Sequence, residues 1–248
     1  GKQVISLSVG EPDFVPAAPV MEAAHEALTK GLVKYTENAG SRALREAICV
    51  YLKTEKKIEY APEQIVCSNG AKQSILQAML SLCGPGDEVL IPAPYWTSYP
   101  DIVALSGATP IILPTTAEDD YLPTVDGLMS LLNSRTRMLI LCNPSNPSGS
   151  VIPQARLEEI AKRLTAPSLS HILVLSDEIY CEITYDVPHV SFAALDGMYE
   201  RTLTINGMSK SHAMTGYRLG YLAGPLPIVK AATKVQGQIS SCASSIAQ

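Results

Sequence analysis

The sequence predicts an α/β fold built on a mostly parallel, seven-stranded sheet sandwiched by helices. Three observations carry this reading. Seven short apolar runs occur from residue 65 onward, at 65–68, 88–92, 109–113, 137–142, 172–176, 202–206 and 219–223. They are continuous rather than alternating, which is the pattern of strands buried on both faces. Helical patterns at 71–82, 96–105, 125–132 and 154–165 separate several of them, as parallel crossovers require.

Taken in order, the opening Ser6-Leu7-Ser8-Val9-Gly10-Glu11-Pro12-Asp13 reads as strand-like and then breaks. Helices are expected over 19–30, with Pro19 in the first turn, and over 41–57, with Ser41 as N-cap. The last two apolar runs are only about a dozen residues apart, too short a link for a parallel crossover, so the last strand is expected to run antiparallel. The chain opens at Gly1 and stops at Gln248 inside what reads as a helix, so both ends are expected to be trimmed.

Length and composition bound the function. A chain of 248 residues with 46% hydrophobic content builds a sizeable core. A net charge of −5 argues against a nucleic-acid binder. The six cysteines form no C-x-x-C pair and the four histidines are scattered, so metal-site spacing is missing. The cysteines read as buried free thiols in a reducing compartment. No apolar stretch approaches the roughly 20 residues of a membrane span, and no signal or transit peptide is visible.

In a sheet of this kind, ligands bind beyond the carboxyl ends of the strands. After the run at 65–68 comes Asn69-Gly70-Ala71-Lys72-Gln73, where a glycine turn opens a helix whose free amides favour phosphate; an ordinary strand–helix turn reads the same way. After 88–92 comes Ala93-Pro94-Tyr95-Trp96. Trp96, the only tryptophan, is either a plate for a flat ring or a core-edge aromatic. After 137–142 the loop Asn143-Pro144-Ser145-Asn146-Pro147-Ser148-Gly149 offers asparagine amides, or simple turn chemistry. After 172–176, Asp177 needs a partner at the end of a buried strand, and Tyr180 lies close behind. After 202–206 come Lys210, whose proton affinity burial can lower, and Arg218, whose fork suits a phosphate dianion. Together these supply a phosphate cradle, an aromatic plate, a ring-nitrogen partner, a phenol and a nucleophilic amine. Pyridoxal phosphate (PLP) needs this set.

Gly10-Glu11-Pro12-Asp13-Phe14, Ser68-Asn69-Gly70-Ala71-Lys72-Gln73, Pro94-Tyr95-Trp96, Asn143 to Gly149, Ser176-Asp177-Glu178-Ile179-Tyr180 and Ser209-Lys210…Gly216-Tyr217-Arg218-Leu219-Gly220 resemble the class I aminotransferases of PLP fold type I. The resemblance covers essentially the whole chain. Within the family it is similar to the prokaryote-type aspartate aminotransferases and their plant plastid form, which also acts on prephenate; Met198 to Thr202 and Gly237 to Ser241 carry that closer likeness. The resemblance implies Lys210 as the Schiff-base lysine, Asp177 as the ring-nitrogen partner, and Tyr180 and Asn146 as hydrogen-bonding the ring oxygen. It implies Trp96 stacked on the ring, with Arg218 and the amides of Ala71 and Lys72 on the phosphate. Tyr35 resembles a phosphate-binding tyrosine given by the other subunit of a homodimer. Gly10 resembles a residue beside the substrate carboxylate, and Lys72 one that meets the distal carboxylate of dicarboxylic substrates.

The implied organisation is a substrate-side segment over 1–14 and a large cofactor domain over 15–248. A C-terminal small domain, with the arginine for the substrate α-carboxylate, and an N-terminal arm are expected to lie outside this chain. Ser211-His212 stands where the subgroup commonly has Ala-Phe, and Phe14-Val15-Pro16 where it has Phe-Asp-Thr-Pro. The implied activity is a ping-pong transamination between aspartate or glutamate and 2-oxo acids, including 2-oxoglutarate, oxaloacetate and prephenate. The plant likeness implies a chloroplast location. The same cofactor residues serve lyases and aminocyclopropane-carboxylate synthases, and a truncated chain can bind PLP without turnover, so reaction type stays open. No G-x-x-x-x-G-K-[ST] occurs, which sets aside a P-loop ATPase.

Overall fold

A computed structural model describes residues 4–5 and 9–248 of the chain. Seven strands form one sheet in the order β1-β7-β6-β5-β4-β2-β3. They are β1 (Ile65–Ser68), β2 (Glu88–Pro92), β3 (Thr109–Leu113), β4 (Thr136–Cys142), β5 (Leu173–Asp177), β6 (Thr202–Gly207) and β7 (Gly220–Ala223). Neighbouring strands are parallel from β6 through β3, and β7 runs antiparallel to both β6 and β1. The expected sheet, with its reversed last strand, is the one observed.

The described residues also form seven helices: α1 (Ala18–Thr29), which buries no residue, and α2 (Arg42–Glu55), α3 (Ala71–Leu82), α4 (Ser98–Leu105), α5 (Val125–Leu131), α6 (Gln154–Leu164) and α7 (Leu226–Ile239), which cover the sheet. Ser41 caps α2 as expected, its hydroxyl accepting from Leu44 N at 3.4 Å. Alternate strand residues serve opposite faces. Val89, Ile91, Met138 and Ile140 pack with Ile75, Met79, Val103 and Val229 of α3, α4 and α7. Leu90, Leu139, Leu141 and Val174 pack with Leu128, Leu157 and Ile160 of α5 and α6, while α2 covers β1 and β7 through Ile48 and Leu52. This two-sided burial is why the strands read as continuous apolar runs.

Three expectations are corrected. The helix after Trp96 begins at Ser98, because Trp96 and Thr97 form the turn that enters it. Val9–Asp13 form no strand, and Ser6–Ser8 lie outside the described residues. The chain does not end in a helix: α7 stops at Ile239 and Ser241 takes φ +61°. The Gln248 amide donates instead to Ala243 O at 2.8 Å and Thr36 Oγ1 at 3.0 Å, and its oxygen accepts from Ser41 N. All six cysteines are free, three of them buried and three half-buried. Among the described residues no helix is long and apolar enough to cross a membrane.

Glu178, directly after β5, is fully buried. Its Oε1 accepts from Ser176 Oγ (2.9 Å), Ser191 Oγ (2.7 Å) and Phe192 N (3.3 Å), tying the 189–192 loop under the sheet. Burial nevertheless pushes its carboxyl up to about 7 and His189, 3.8 Å away, down to about 4, so both are neutral near pH 5.5. A carboxyl raised on folding contributes stability that is present below its unfolded value and lost as pH rises through 7. Glu178→Gln should therefore gain stability relative to the unsubstituted chain by about 1–3 kcal/mol between pH 5 and pH 8. Urea unfolding at the two pH values checks this, and a gap independent of pH contradicts it.

Candidate active site

The carboxyl ends of β1, β2, β4, β5 and β6 converge on one cavity of about 770 Å³, the size of a small-molecule site. Gly10, Ala71, Lys72, Trp96, Asn146, Asp177, Tyr180, Lys210 and Arg218 all line it. Sequence reasoning had placed each of these at such a site from its position after an apolar run or from its motif. Tyr35 is the exception: it is 89% exposed and does not line the cavity.

The cradle at one end follows from two glycines. Gly70 takes φ +81°, and a Cβ there would lie 3.0 Å from the Arg218 Cζ. Gly220 opens β7 directly against the Gly70–Ala71 backbone, where a Cβ would meet Gly70 C at 2.6 Å. Without side chains at these positions, the start of α3 lies against β7 and the Arg218 guanidinium lies over it. The first amides of α3 have no intrahelical acceptor, so amides and guanidinium face the same space. Arg218 itself sits at φ +56° and donates to Thr215 O at 2.9 Å.

On the floor, β5 delivers Asp177, which is 3% exposed. Its Oδ1 accepts from Ile179 N at 3.3 Å and its Oδ2 from Tyr99 Oη at 2.7 Å. Burial raises its carboxyl to about 6, against the lowering effect of those two bonds. Asn146 Nδ2 donates to Tyr180 Oη at 3.3 Å, so the β4 and β5 loops present one paired amide and phenol. Burial, together with the nearby Cys142 and Asp177, pushes the Tyr180 phenol up to about 12.

Lys210 Nζ donates to Gly10 O, and Val9, Gly10 and Glu11 line the cavity on that side. Burial lowers the proton affinity of the Lys210 amine, Glu11 opposes that, and Arg218 adds to it. The Lys72 ammonium lies 4.6 Å from the centre of the Trp96 ring, a cation–π distance. The Trp96 ring also meets the Tyr99 ring edge-on at 5.5 Å and 89°.

Sequence reasoning missed Tyr99 and Glu11. Tyr99, the second residue of α4, is the third after Trp96 and its amide bonds back to the Trp96 carbonyl at 3.0 Å, a closeness in sequence that was available as a signal. Glu11, which accepts from Thr215 Oγ1 and so ties the N-terminal segment to the loop before β7, has no sequence cue beyond its motif.

Fold and site together define a class. Residues 2–248 match the family model described as aminotransferase class I and II, and the chain belongs to that family. It is similar to a bifunctional aspartate aminotransferase and glutamate/aspartate-prephenate aminotransferase of Petunia hybrida, 53% identical over 249 residues that cover all of this chain and 52% of the relative. An aspartate aminotransferase of Pinus pinaster is likewise 53% identical, over all of this chain and 50% of its own length. Among solved structures, the aspartate aminotransferase from Rhizobium meliloti superposes with a TM-score of 0.96 at 40% identity, over 99% of this chain and 62% of that one. Aspartate aminotransferase from Thermus thermophilus with maleate gives 0.93 at 36%, over 98% and 62%. The chain spans about half the length of the curated relatives it matches.

Proposed function

We propose that this chain is the cofactor-binding part of a PLP-dependent aminotransferase that moves amino groups between aspartate or glutamate and 2-oxo acids, prephenate among them. The observation that carries the reading is the placement of Lys210, Asp177 and the Arg218–α3 cradle around one cavity. The donor set fits the cofactor. A cationic fork beside free helix amides suits a phosphate dianion, and a buried carboxylate at the floor suits a protonated ring nitrogen. An amine of lowered proton affinity suits an aldehyde carbon.

Bound there, PLP supplies an acceptor for the electron pair released when a substrate Cα–H bond breaks. The chain's own residues do the rest. Arg218 and the Ala71 and Lys72 amides hold the phosphate, and Trp96 flanks the ring. The Asn146–Tyr180 pair bonds the ring oxygen, and Asp177 keeps the ring nitrogen charged. Lys210 would anchor the cofactor through its amine, and the same amine would serve as the base for the Cα proton. Gly10, whose carbonyl accepts from Lys210, lies on the substrate side. Tyr35 is exposed, as are the apolar side chains that precede it in the chain, Met21, Leu28, Leu32 and Val33, which supports its serving the phosphate of a second copy in a homodimer. The likeness to two plant relatives supports a chloroplast location.

The test is product analysis of the full-length protein with PLP, aspartate and 2-oxoglutarate. Formation of oxaloacetate and glutamate is expected; elimination or ring-closure products would point to a lyase or a cyclopropane-forming enzyme instead.

Lys72 gives the substrate class. The α3 amides suffice for phosphate, so its side chain is free, and its ammonium is already held over Trp96. There it meets the second carboxylate of a dicarboxylic substrate; the Thermus relative was solved with maleate, a dicarboxylate. Lys72→Ala should lower kcat/KM for aspartate about 10- to 100-fold while sparing alanine, the loss of one charge-assisted hydrogen bond. An equal fall for both substrates assigns Lys72 to the cofactor or the fold.

A further inference from the structure

We infer that Tyr99 is a positioning residue, whose hydroxyl fixes the Asp177 carboxylate toward the cavity and holds it ionised for a cationic ring nitrogen. The inference rests on reading the cavity as a PLP site, and it adds a residue that the motifs of that site do not contain.

Asp177 lies in a place where a carboxylate is costly. It is buried at the end of β5, with no lysine or arginine paired to it among the described residues. Only two donors oppose its desolvation, the Ile179 amide at 3.3 Å and the Tyr99 hydroxyl at 2.7 Å. The second is the shorter, and it is a hydroxyl donating to an anion, the stronger kind of bond. A carboxylate has roughly four acceptor positions. Two remain after these bonds, and Asp177 lines the cavity, so capacity is left for a ring N–H.

Tyr99 is itself fixed. It is 1% exposed, its ring packs edge-on to Trp96, and its amide donates to Trp96 O at 3.0 Å. A buried tyrosine needs some partner for its hydroxyl, and that alone would make Asp177 an incidental acceptor. The arrangement argues for more: one turn, 96–99, sets both the aromatic plate and the holder of the ring-nitrogen carboxylate. The plate and the charge are thereby placed relative to each other by a single rigid element.

The carboxyl titration tests the inference without turnover. The full-length protein is labelled with 13C at the aspartate carboxyls and stripped of cofactor. The Asp177 signal is assigned by its loss in Asp177→Asn, then titrated by NMR. Tyr99→Phe should raise the midpoint by about one pH unit, tenfold in proton affinity. Replacing Tyr99 with 3,5-difluorotyrosine, a stronger donor of the same shape, should lower it. Tyr99→Phe should also weaken PLP uptake, measured by equilibrium dialysis, most steeply below the new midpoint. Coincident midpoints in the three proteins overturn the role of Tyr99. If Tyr99→Phe does not fold, the difluorotyrosine protein decides alone, and an unmoved midpoint there overturns the inference. A wild-type protein that takes up no PLP at all sinks the cofactor reading, and that failure is seen on a different sample.

Discussion

Replacing Lys210 with alanine in the full-length protein should abolish the covalent PLP adduct that borohydride traps, and should cost at least about 10⁴-fold in transamination. Two roles vanish together, the covalent anchor and the base for the Cα proton; the second alone is typically worth ~10²–10⁴. The cavity contains two lysines, and geometry separates them. Lys210 Nζ reaches across to Gly10 O from the loop after β6, with Arg218 and Glu11 acting on its charge. Lys72 Nζ is held over the Trp96 ring. The adduct should accordingly survive Lys72→Ala and be lost in Lys210→Ala. PLP should still bind Lys210→Ala without a covalent bond, since Arg218, the α3 amides and Asp177 are untouched. Peptide mapping of the reduced adduct reads the outcome directly; an adduct carried by any residue other than Lys210 overturns the assignment.

The place of Lys210 at the cavity was legible in the sequence for the same reason the sheet was. Strands buried on both faces must be apolar throughout, so each run shows where a strand ends, and the chemistry lies directly after it. Asn146 and Trp96 follow their strands in this way, and Asp177 is the last residue of its own. What stayed hidden depends on contacts distant in sequence. Tyr99 reads as one more aromatic of α4 until β5 brings Asp177 against it. Glu178 reads as the second half of an acidic pair, yet it is buried under the sheet with Ser176 and Ser191, while Asp177 faces the cavity. The 240–248 segment has the apolar spacing of a helix through Ala243, Ile246 and Ala247. It turns instead after Ile239, with the Gln248 side chain bonded to Thr36, Ser41 and Ala243, two of them distant in sequence.

Asp177→Asn should separate stability from catalysis. The carboxyl is fully buried and raised to about 6 in the cofactor-free site. The sign follows from linkage: a carboxyl raised on folding contributes stability below its unfolded value, and that contribution is lost as pH rises through 6. Asparagine carries no such charge and still offers an oxygen to the Tyr99 hydroxyl. The cofactor-free Asp177→Asn protein should therefore be at least as stable as wild type at pH 8, with its advantage fading below pH 5. Catalysis should move the other way. An amide cannot keep a ring nitrogen protonated, so turnover should fall by about 10²-fold or more. With the cofactor present, the cationic ring opposes the desolvation of Asp177 and moves its titration below 6, so wild-type activity should hold to lower pH than the cofactor-free titration alone implies. Thermal unfolding without cofactor, set beside kcat for the same variant, makes the comparison. A variant that unfolds more easily and turns over normally would show Asp177 to be a structural strand-end carboxylate, and the ring-nitrogen role would pass to another group in the cavity.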